Sequence, residues 1–255
     1  MRLLSLFLLS VTALSAAQLV ANGGFENLLS TTTSPYPTGI GNAANWFSAG
    51  GSVDFYSNAT INNDYSTAQS CFAGNACAGL LNAPPASNNN NSVQYEYLQT
   101  ELLSEMVAGE TYHLSLRAAF SDRARVVTPD FGFYVSTGTA FNRPTGASFL
   151  PITLTPTYNN PTGTNITSTA WLLYETNYVA TGGERYLTIG NFLQSPGFFL
   201  PTFSGPNFSS GYFFVDNVSI VGPDAAVPEP ATLVTVSAAL AALAFRRRRG
   251  IKSGA

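Results

Sequence analysis

The stretch YHLSLRA, residues 112–118, carries apolar side chains at every second position. Tyr112, Leu114, Leu116 and Ala118 share one face, whereas histidine, serine and arginine alternate on the other. A period of two residues is that of a β-strand with one buried and one exposed face. The stretch therefore predicts a half-buried strand, and it is the clearest secondary-structure signal in the chain.

Short runs of β-branched and aromatic residues repeat this signal between turn residues, and no run has the period of a long helix. Further strands are predicted at Gln18–Val20, near Trp46, and at Val53–Tyr56, Ala78–Leu81, Ser92–Gln99, Phe131–Ser136, Ile152–Thr155, Ala170–Val179, Arg185–Asn191 and Tyr212–Ile220. With roughly ten strands, the sequence predicts an all-β fold in which two antiparallel sheets pack as a sandwich.

Several connecting segments also have predicted conformations. Gly182-Gly183, between two predicted strands, indicates a hairpin turn. Glu101–Ala108 is compatible with one or two helical turns, and Asn58–Ala68 is predicted to be a polar loop. Glu96 is expected on the polar face of its strand, since the residues on either side of it are tyrosines.

Both ends of the chain are predicted to be targeting segments rather than parts of the fold. Met1–Ala17 has one basic residue, a leucine-rich core and small residues before Gln18, which are the features of a secretory signal peptide cleaved after Ala17. Residues 225–255 form a tail outside the fold. The body between them, residues 18–224, is long enough for one β domain, and no convincing linker divides it.

The tail has three parts. It begins with the stalk Val227-Pro228-Glu229-Pro230, whose two prolines favour stiff, extended backbone. Ala231–Phe245 carries no charge and would span about 22 Å as a helix, which is short for a hydrocarbon core of about 30 Å. The run Arg246-Arg247-Arg248-Arg249 follows, and such a basic cluster marks the cytoplasmic side of a membrane segment.

In this order, the stalk, the short apolar span and the arginine run resemble the PEP-CTERM sorting signal of Gram-negative bacteria. The resemblance covers the tail only. It implies recognition by an exosortase-type membrane enzyme, a transient stay in the inner membrane, and delivery of the body to the cell surface or the extracellular matrix. The alternative is a plain single-span anchor, because hydrophobic mismatch is tolerated at modest cost.

The charge of the body restricts its partners. Five arginines and no lysine stand against more than twice as many acidic residues. Nucleic-acid phosphates are bound by clusters of Lys and Arg side chains, which this body lacks. We therefore expect no nucleic-acid partner.

Cys71 and Cys77 are the only cysteines in the chain. An exported protein meets an oxidising compartment, in which neighbouring cysteines form disulfides. We expect Cys71 and Cys77 to be bonded to each other and to pin the loop between them. A metal site is not expected here, because two thiols and one distant histidine are too few suitable ligands.

Little in the sequence supports catalysis. His113 is the only histidine, and we expect it on the polar face of the strand at 112–118. No serine lies in a Gly-x-Ser-x-Gly motif, so no Ser-His-Asp triad is predicted. Glycoside hydrolysis needs two facing carboxylates, and the sequence cannot pair the candidate acids Asp54, Glu96, Glu101, Asp122, Asp130, Glu175 and Glu184. We expect no enzymatic activity, with a glycoside hydrolase as the remote alternative.

Four motifs of the body resemble, in their order, those of galactose-binding-like jelly rolls such as carbohydrate-binding modules. They are Asn22–Glu26, Trp46, Leu187–Phe192 and Phe214–Ile220. The resemblance implies a jelly-roll arrangement of the two sheets. It also implies a structural calcium ion held by the Glu of the opening motif and the Asp of the last strand, here Glu26 and Asp216. The alternative is that Asp216 faces solvent or caps a turn.

Glycan-binding jelly rolls of this kind use exposed aromatic side chains, which makes aromatic residues the candidates for a ligand surface. Phe198, Phe199, Phe203 and Phe208 lie in a Pro/Gly-rich segment that either packs over a sheet edge or forms an exposed contact patch. The two tryptophans of the chain are expected to pack in the core.

The sequence thus predicts a non-catalytic, exported protein of the cell surface or extracellular matrix, associated with exopolysaccharide or biofilm. The alternative from a different class is a module that binds a specific glycan. Two or three coplanar, exposed aromatic rings on the concave sheet would favour glycan binding, whereas small polar residues would favour the structural role.

Overall fold

The computed structural model describes residues 17–30, 38–57, 60–63, 65–83, 95–124, 126–127, 131–138, 154–159, 166–192, 198–199 and 211–223. One short 3-10 turn, Ile40–Asn42, lies among them. The strands, in chain order, are β1 (Thr38–Gly39), β2 (Trp46–Gly50), β3 (Asp54–Tyr56), β4 (Thr60–Asn63), β5 (Ser66–Ser70), β6 (Cys77–Ala83), β7 (Tyr97–Glu101), β8 (Thr111–Phe120), β9 (Val126–Val127), β10 (Phe131–Ser136), β11 (Tyr158–Asn159), β12 (Leu172–Val179), β13 (Tyr186–Asn191), β14 (Phe198–Phe199) and β15 (Gly211–Val221).

Two antiparallel sheets contain most of these strands. The first has the order β1-β3-β6-β15-β8-β12, and the second has the order β11-β10-β13-β7-β2. Two small pairs, β14-β9 and β4-β5, complete the described strands. Buried apolar residues of both large sheets belong to one core cluster, with Leu116 of β8 and Leu187 of β13 among them. The predicted all-β fold with two packed antiparallel sheets is confirmed.

Residues 112–118 lie in a half-buried strand, as their alternating pattern predicts. Tyr112, Leu114 and Leu116 are buried, whereas His113 is exposed on the opposite face of β8. This strand lies between β15 and β12 in the first sheet, and its apolar face is part of the main core cluster. Phe131–Ser136 is likewise a strand over the predicted residues.

The first described residues run along the last strand. The Leu19 N–H donates to the Ile220 carbonyl at 2.8 Å, and Gln18 forms an isolated β-bridge with Val221. The Gln18 side chain also accepts the N–H groups of Val20 and Ile220, each at 3.0 Å. The strand predicted at Gln18–Val20 is therefore reduced to one bridge, because a side chain takes backbone donors that a longer ladder would use.

The predicted helical turns at Glu101–Ala108 are wrong. Glu101 ends β7, and the residues after it form bends and a turn. Leu102 and Met106 are buried, and their N–H groups donate to the carbonyls of residues 185 and 184 at 2.8 and 2.9 Å. Pairing with a distant segment thus outweighs the weak local preference for a helix.

The hairpin predicted at Gly182-Gly183 is also wrong. The strand before the glycines, β12, pairs with β8, whereas the strand after them, β13, pairs with β10 and β7. Both glycines have a positive φ, 101° and 82°, which glycine adopts without steric cost. The pair therefore carries the chain from one sheet to the other instead of joining neighbouring strands.

Two further predictions need correction. Within the polar loop predicted at Asn58–Ala68, β4 pairs with β5, and the apolar Ile61 is buried. The strand predicted at Ile152–Thr155 is displaced, because pairing with β10 begins only at Tyr158. Residues 154–157 are not in a strand, and residues 152–153 lie outside the described part.

Residues Ala16–Pro223 form one compact unit. In the part of the chain that the structure describes, no helix is both long and apolar enough to cross a membrane. The predicted signal peptide, apart from Ala17, and the predicted tail segment Ala231–Phe245 lie outside the described residues.

Candidate functional site

Cys71 and Cys77 form a disulfide, as predicted. The bond closes a short loop, residues 72–76, between β5 and β6. Neither half of the bond is exposed, since Cys77 is fully buried and Cys71 nearly so. The loop is therefore fixed at both ends, after the last residue of β5 and at the first residue of β6.

Asp216 lies beneath this loop, on the central strand β15, and its side chain is fully buried. Its carboxylate accepts the N–H of Ala73 at 3.0 Å and the N–H of Asn217 at 2.6 Å. Burial raises the pKa of Asp216 to about 6, and hydrogen bonds from Ala73, Asn217 and Phe72 limit the rise. Backbone N–H groups of the loop and of Asn217 thus offset part of the cost of burying this charge.

Glu26 binds the other half of the same loop. One of its carboxylate oxygens, Oε1, accepts the N–H groups of Asn75 and Ala76 at 2.7 and 2.8 Å. Gly74, directly before Asn75, has a φ of +64°, and a Cβ there would lie 2.2 Å from that oxygen. Only glycine therefore lets the loop close around Glu26.

The structure thus brings the two predicted calcium ligands to one loop. They are close enough for the charge of Glu26 to raise the pKa of Asp216, in addition to the larger effect of burial. The second oxygen of Glu26, Oε2, accepts no hydrogen bond among the described residues, and the side chain is exposed.

Calcium at this position stays a prediction. A calcium ion takes six to eight oxygen ligands, and no group of three or more His, Cys, Asp or Glu side chains is placed for a metal within the described ranges. Carbonyl oxygens or water would have to supply the remaining ligands. Loop N–H groups bind Glu26 Oε1 and Asp216 Oδ2, and the Asn217 N–H binds Asp216 Oδ1.

The loop also presents an aromatic side chain on the outer face of the first sheet. Phe72 is 39% exposed, and the Arg117 guanidinium lies over its ring at 4.7 Å from the centroid. Trp171 contacts Phe72 edge-on at 6.1 Å and donates its indole N–H to the Ser70 carbonyl at 2.9 Å. Phe72, Arg117 and Trp171 are called the Phe72 patch below.

A second acid, the partly buried Asp54, is the first residue of β3, which is separated from β15 by β6. Tyr212 donates its hydroxyl to Asp54 at 2.6 Å, and Tyr56 contacts the Tyr212 hydroxyl at 2.8 Å. Burial raises the pKa of Asp54 to about 7, the bond from Tyr212 opposes that rise, and the charge of Glu96 adds to it.

Glu96 is buried, although its strand pattern predicts an exposed position. Its carboxylate accepts the N–H and hydroxyl of Ser52 at 3.0 and 2.9 Å and the N–H of Leu81 at 2.8 Å. Burial raises the pKa of Glu96 while these bonds lower it. Glu96, directly before β7, is therefore bonded to Ser52 and to Leu81 of β6.

Four of the five remaining candidate acids have a structural contact. Glu101 pairs with Arg185 at 2.7 Å, and Glu175 pairs with His113 at 3.3 Å. Glu184 accepts bonds from Thr181 and Tyr178, and Asp122 accepts bonds from Thr67. Asp130 lies outside the described residues.

The candidate aromatic residues differ in their surroundings. Trp46 is buried against Phe25 at 4.8 Å between ring centroids, and Trp171 is partly buried against the core. Backbone pairing joins Phe198 and Phe199 to β9. Phe203 and Phe208 lie outside the described residues, so the contact patch proposed for this segment stays a prediction.

Sequence reasoning missed the main partners of the two acids. These partners are the backbone N–H groups of residues 72, 73, 75 and 76, which have no side-chain signature. The one available signal was Gly74, a glycine in the middle of a short ring between two cysteines.

Comparison with known proteins places a sorting signal at the end of the chain. Residues 226–249 match the PEP-CTERM protein-sorting motif. The chain carries a PEP-CTERM tail. This motif marks an exported protein that passes through the membrane to the cell surface, and it implies processing by an exosortase. The sorting residues predicted at Val227-Pro228-Glu229-Pro230 and Arg246-Arg247-Arg248-Arg249 fall within the matched segment.

Solved structures with similar folds were also found. The CBM22-1 xylan-binding domain of Xyn10C from Paenibacillus barcinonensis is 14% identical with a TM-score of 0.41, over 84% of this chain and 100% of that one. The K1 cleaved adhesin domain of Lys-gingipain from Porphyromonas gingivalis W83 is 12% identical with a TM-score of 0.38, over 78% and 95% of the two chains. The enzymatically active domain of tailspike protein 4 from bacteriophage CBA120 is 13% identical with a TM-score of 0.36, over 81% and 21%. No curated protein matches this sequence.

Calcium binding gives the first prediction. Calcium in excess is expected to raise the melting temperature relative to chelator, because a ligand that binds only the folded chain stabilises it by about 2.7 kcal/mol at 100 times its Kd. Glu26→Gln is expected to abolish the difference, whereas Glu110→Gln, at an exposed position, is expected to retain it. Equal melting temperatures of the unmodified protein in calcium and chelator would rule the ion out.

The buried acids Glu96 and Asp216 and the partly buried Asp54 give a second prediction, on pH. Asp54 and Asp216, with pKa values raised by burial to about 7 and about 6, hold protons more tightly in the folded than in the unfolded chain, and Glu96 shifts in the same direction. Their contribution to stability is therefore fully present below about pH 4 and is lost as the pH rises through 6 to 7.

Glu184 acts in the opposite sense. Burial raises its pKa, but bonds from Thr181 and Tyr178 lower it to about 2 overall, so its contribution is lost as the pH falls from about 4.5 towards 2. We expect calorimetry to give a maximal melting temperature near pH 4 to 5 and a decrease towards pH 8. In Asp54→Asn the decrease above pH 5 should be smaller. A melting temperature that increases from pH 5 to 8 would contradict this assignment.

Proposed function

We propose that this protein is a non-catalytic component of the cell surface or extracellular matrix of a Gram-negative bacterium, associated with exopolysaccharide. Its signal peptide, residues 1–17, directs export, and its tail holds it in the inner membrane until an exosortase releases the body, residues 18–224. The observation that carries the proposal is the PEP-CTERM motif at residues 226–249.

The contacts of the body support a structural rather than a catalytic role. His113 lies on the exposed face of a regular strand, 3.3 Å from Glu175. Asp54 and Glu96 are held by hydroxyl and backbone donors within the fold. These groups bind parts of the protein itself, which is how polar residues stabilise a domain.

Cell fractionation and mass spectrometry of the mature chain test the sorting proposal. We expect a surface or matrix protein that begins at Gln18 and lacks the residues from about Pro230 onward. The double variant Pro228→Ala/Pro230→Ala should keep its tail and accumulate in the inner membrane. Pro223→Ala, just before the tail, is the matched control and should be processed normally.

Two results would contradict this proposal. If the unmodified protein stays in the inner membrane with its whole tail, the tail is a plain anchor. An intact chain in the cytosol would contradict export itself.

A second candidate function, recognition of a specific glycan, is favoured by the Phe72 patch. Phe72 is an exposed aromatic ring held in place by a disulfide loop, and Trp171 extends the aromatic surface beside it. An aromatic face packs against the apolar face of a sugar ring, and the Arg117 guanidinium supplies donors for sugar hydroxyls.

Titration of the purified protein with exopolysaccharide from the same bacterium tests this second function. Phe72→Ala is expected to weaken binding about tenfold, which corresponds to about 1.4 kcal/mol. Leu103→Ala, which removes an exposed apolar side chain elsewhere, is the control and should leave binding unchanged. Unchanged affinity in Phe72→Ala would remove the patch from consideration.

A further inference from the structure

The two large sheets have four outer strands, and one of them differs from the rest. β1 and β11 each contain two residues, and β2 has a shift of register between Ser48 and Gly50. β12 contains eight residues and pairs with β8 without interruption from Leu172 to Val179. Short and irregular outer strands are a usual protection against edge-to-edge pairing, so β12 is the one long regular edge of the described sheets.

β12 also lacks the side chains that protect an edge. Its sequence, LLYETNYV, contains no lysine, proline or glycine, and Glu175 is its one charged residue. Leu172, Leu173 and Val179 are 43%, 43% and 60% exposed. Among the described strands, none pairs with β12 on the side away from β8. A long, apolar edge of this kind is a template for another strand.

We propose that β12 pairs with β12 of a second copy of this chain, antiparallel and about a two-fold axis at Thr176. The first sheets of the two copies would then form one continuous sheet. Such an interface is isologous, because each copy contributes the same strand. The proposal uses only the body, so it does not depend on the proposed function.

The side chains of β12 are complementary to themselves in this register. On the outer face, Leu173 lies opposite the partner's Val179, and Glu175 lies opposite the partner's Asn177. On the core side, Tyr174 lies opposite the partner's Tyr178. Apolar, aromatic and hydrogen-bonding pairs directly opposite each other are the contacts that stabilise neighbouring strands.

Other registers lose this match. A shift of two residues in one direction places Glu175 opposite the partner's Glu175, and like charges in that position are destabilising. A shift of two in the other direction places Glu175 opposite the partner's Val179. A shift of one residue turns outer side chains towards the core side. The sequence of the strand therefore selects the axis at Thr176.

His113, on the neighbouring strand, holds the polar pair in place. Its two ring nitrogens lie 3.3 Å from Glu175 Oε2 and 3.1 Å from Asn177 Oδ1. Within the described residues, Glu175 Oε1 and the Asn177 amide nitrogen have no hydrogen bond. An acceptor and a donor thus remain on each strand for the partner.

Cysteine cross-linking tests the register in the full chain, expressed in a bacterium that carries an exosortase. In Thr176→Cys the two introduced thiols face each other across the axis, within the separation of about 4.4 to 6.8 Å between Cα atoms that a disulfide spans. We expect a covalent dimer on non-reducing gels. Glu175→Cys is the matched control and should cross-link at least tenfold less, because its diagonal separation exceeds about 7 Å. The native cysteines do not interfere, since they are bonded to each other.

Light scattering on the purified protein tests the association itself. The unmodified chain is expected to have twice the mass of the monomer, and Thr176→Lys, which places two like charges at the axis, is expected to be monomeric. Lysine is a normal residue on an exposed edge strand, so this variant should remain folded by circular dichroism. A monomeric unmodified protein, or equal cross-linking at residues 175 and 176, would overturn the proposal. The proposal would also be overturned if the chain were a monomer whose β12 pairs with a strand of a different protein.

Discussion

The shift of register in the middle of β15 is the feature on which the candidate site depends. Between Asp216 and Ser219 the pairing with β8 is displaced, and Asn217 has a positive φ of 49°. The displacement frees backbone groups of a central strand, and the Val218 N–H donates to the Gly23 carbonyl at 2.9 Å. A Cβ on Gly23 would lie 1.8 Å from the Val218 carbonyl oxygen, so only glycine permits this approach.

Hydrogen bonds of Asn22 and Trp46 hold the opening turn at this position. The Asn22 side chain holds the turn closed through the Asn27 N–H at 3.1 Å and the Ala44 carbonyl at 3.0 Å. Trp46 donates its indole N–H to the Asn22 carbonyl at 2.7 Å, which ties the turn to β2. The turn thereby carries Glu26 to the loop that covers Asp216. One irregular strand, one turn and one disulfide together produce the site.

The regular part of this fold was predictable, and the parts that depend on distant contacts were not. The alternation of apolar and polar residues identified β8, because a strand with one buried face has apolar side chains at every second position. Turn predictions were wrong where the flanking strands pair with distant segments. The glycines at 182–183 resemble a hairpin turn locally, but the strands on either side of them pair in different sheets. For Glu96 the pattern predicted exposure, and a segment that folds over it buries it instead. The acids of the site were identifiable, whereas their amide donors have no side chain by which a sequence reveals them.

The buried acids of this body are stabilised by N–H and O–H donors rather than by cations. Loop amides bind Asp216, backbone and hydroxyl groups bind Glu96, and a tyrosine binds Asp54. The ion pairs between described residues are at the surface, and the closest, Arg185 with Glu101, is about half exposed. Surface pairs contribute little and are screened by salt, whereas buried bonds to fixed backbone groups are not. A body poor in cationic side chains can therefore bury acids without internal ion pairs, and its stability depends on the protonation of those acids more than on ionic strength.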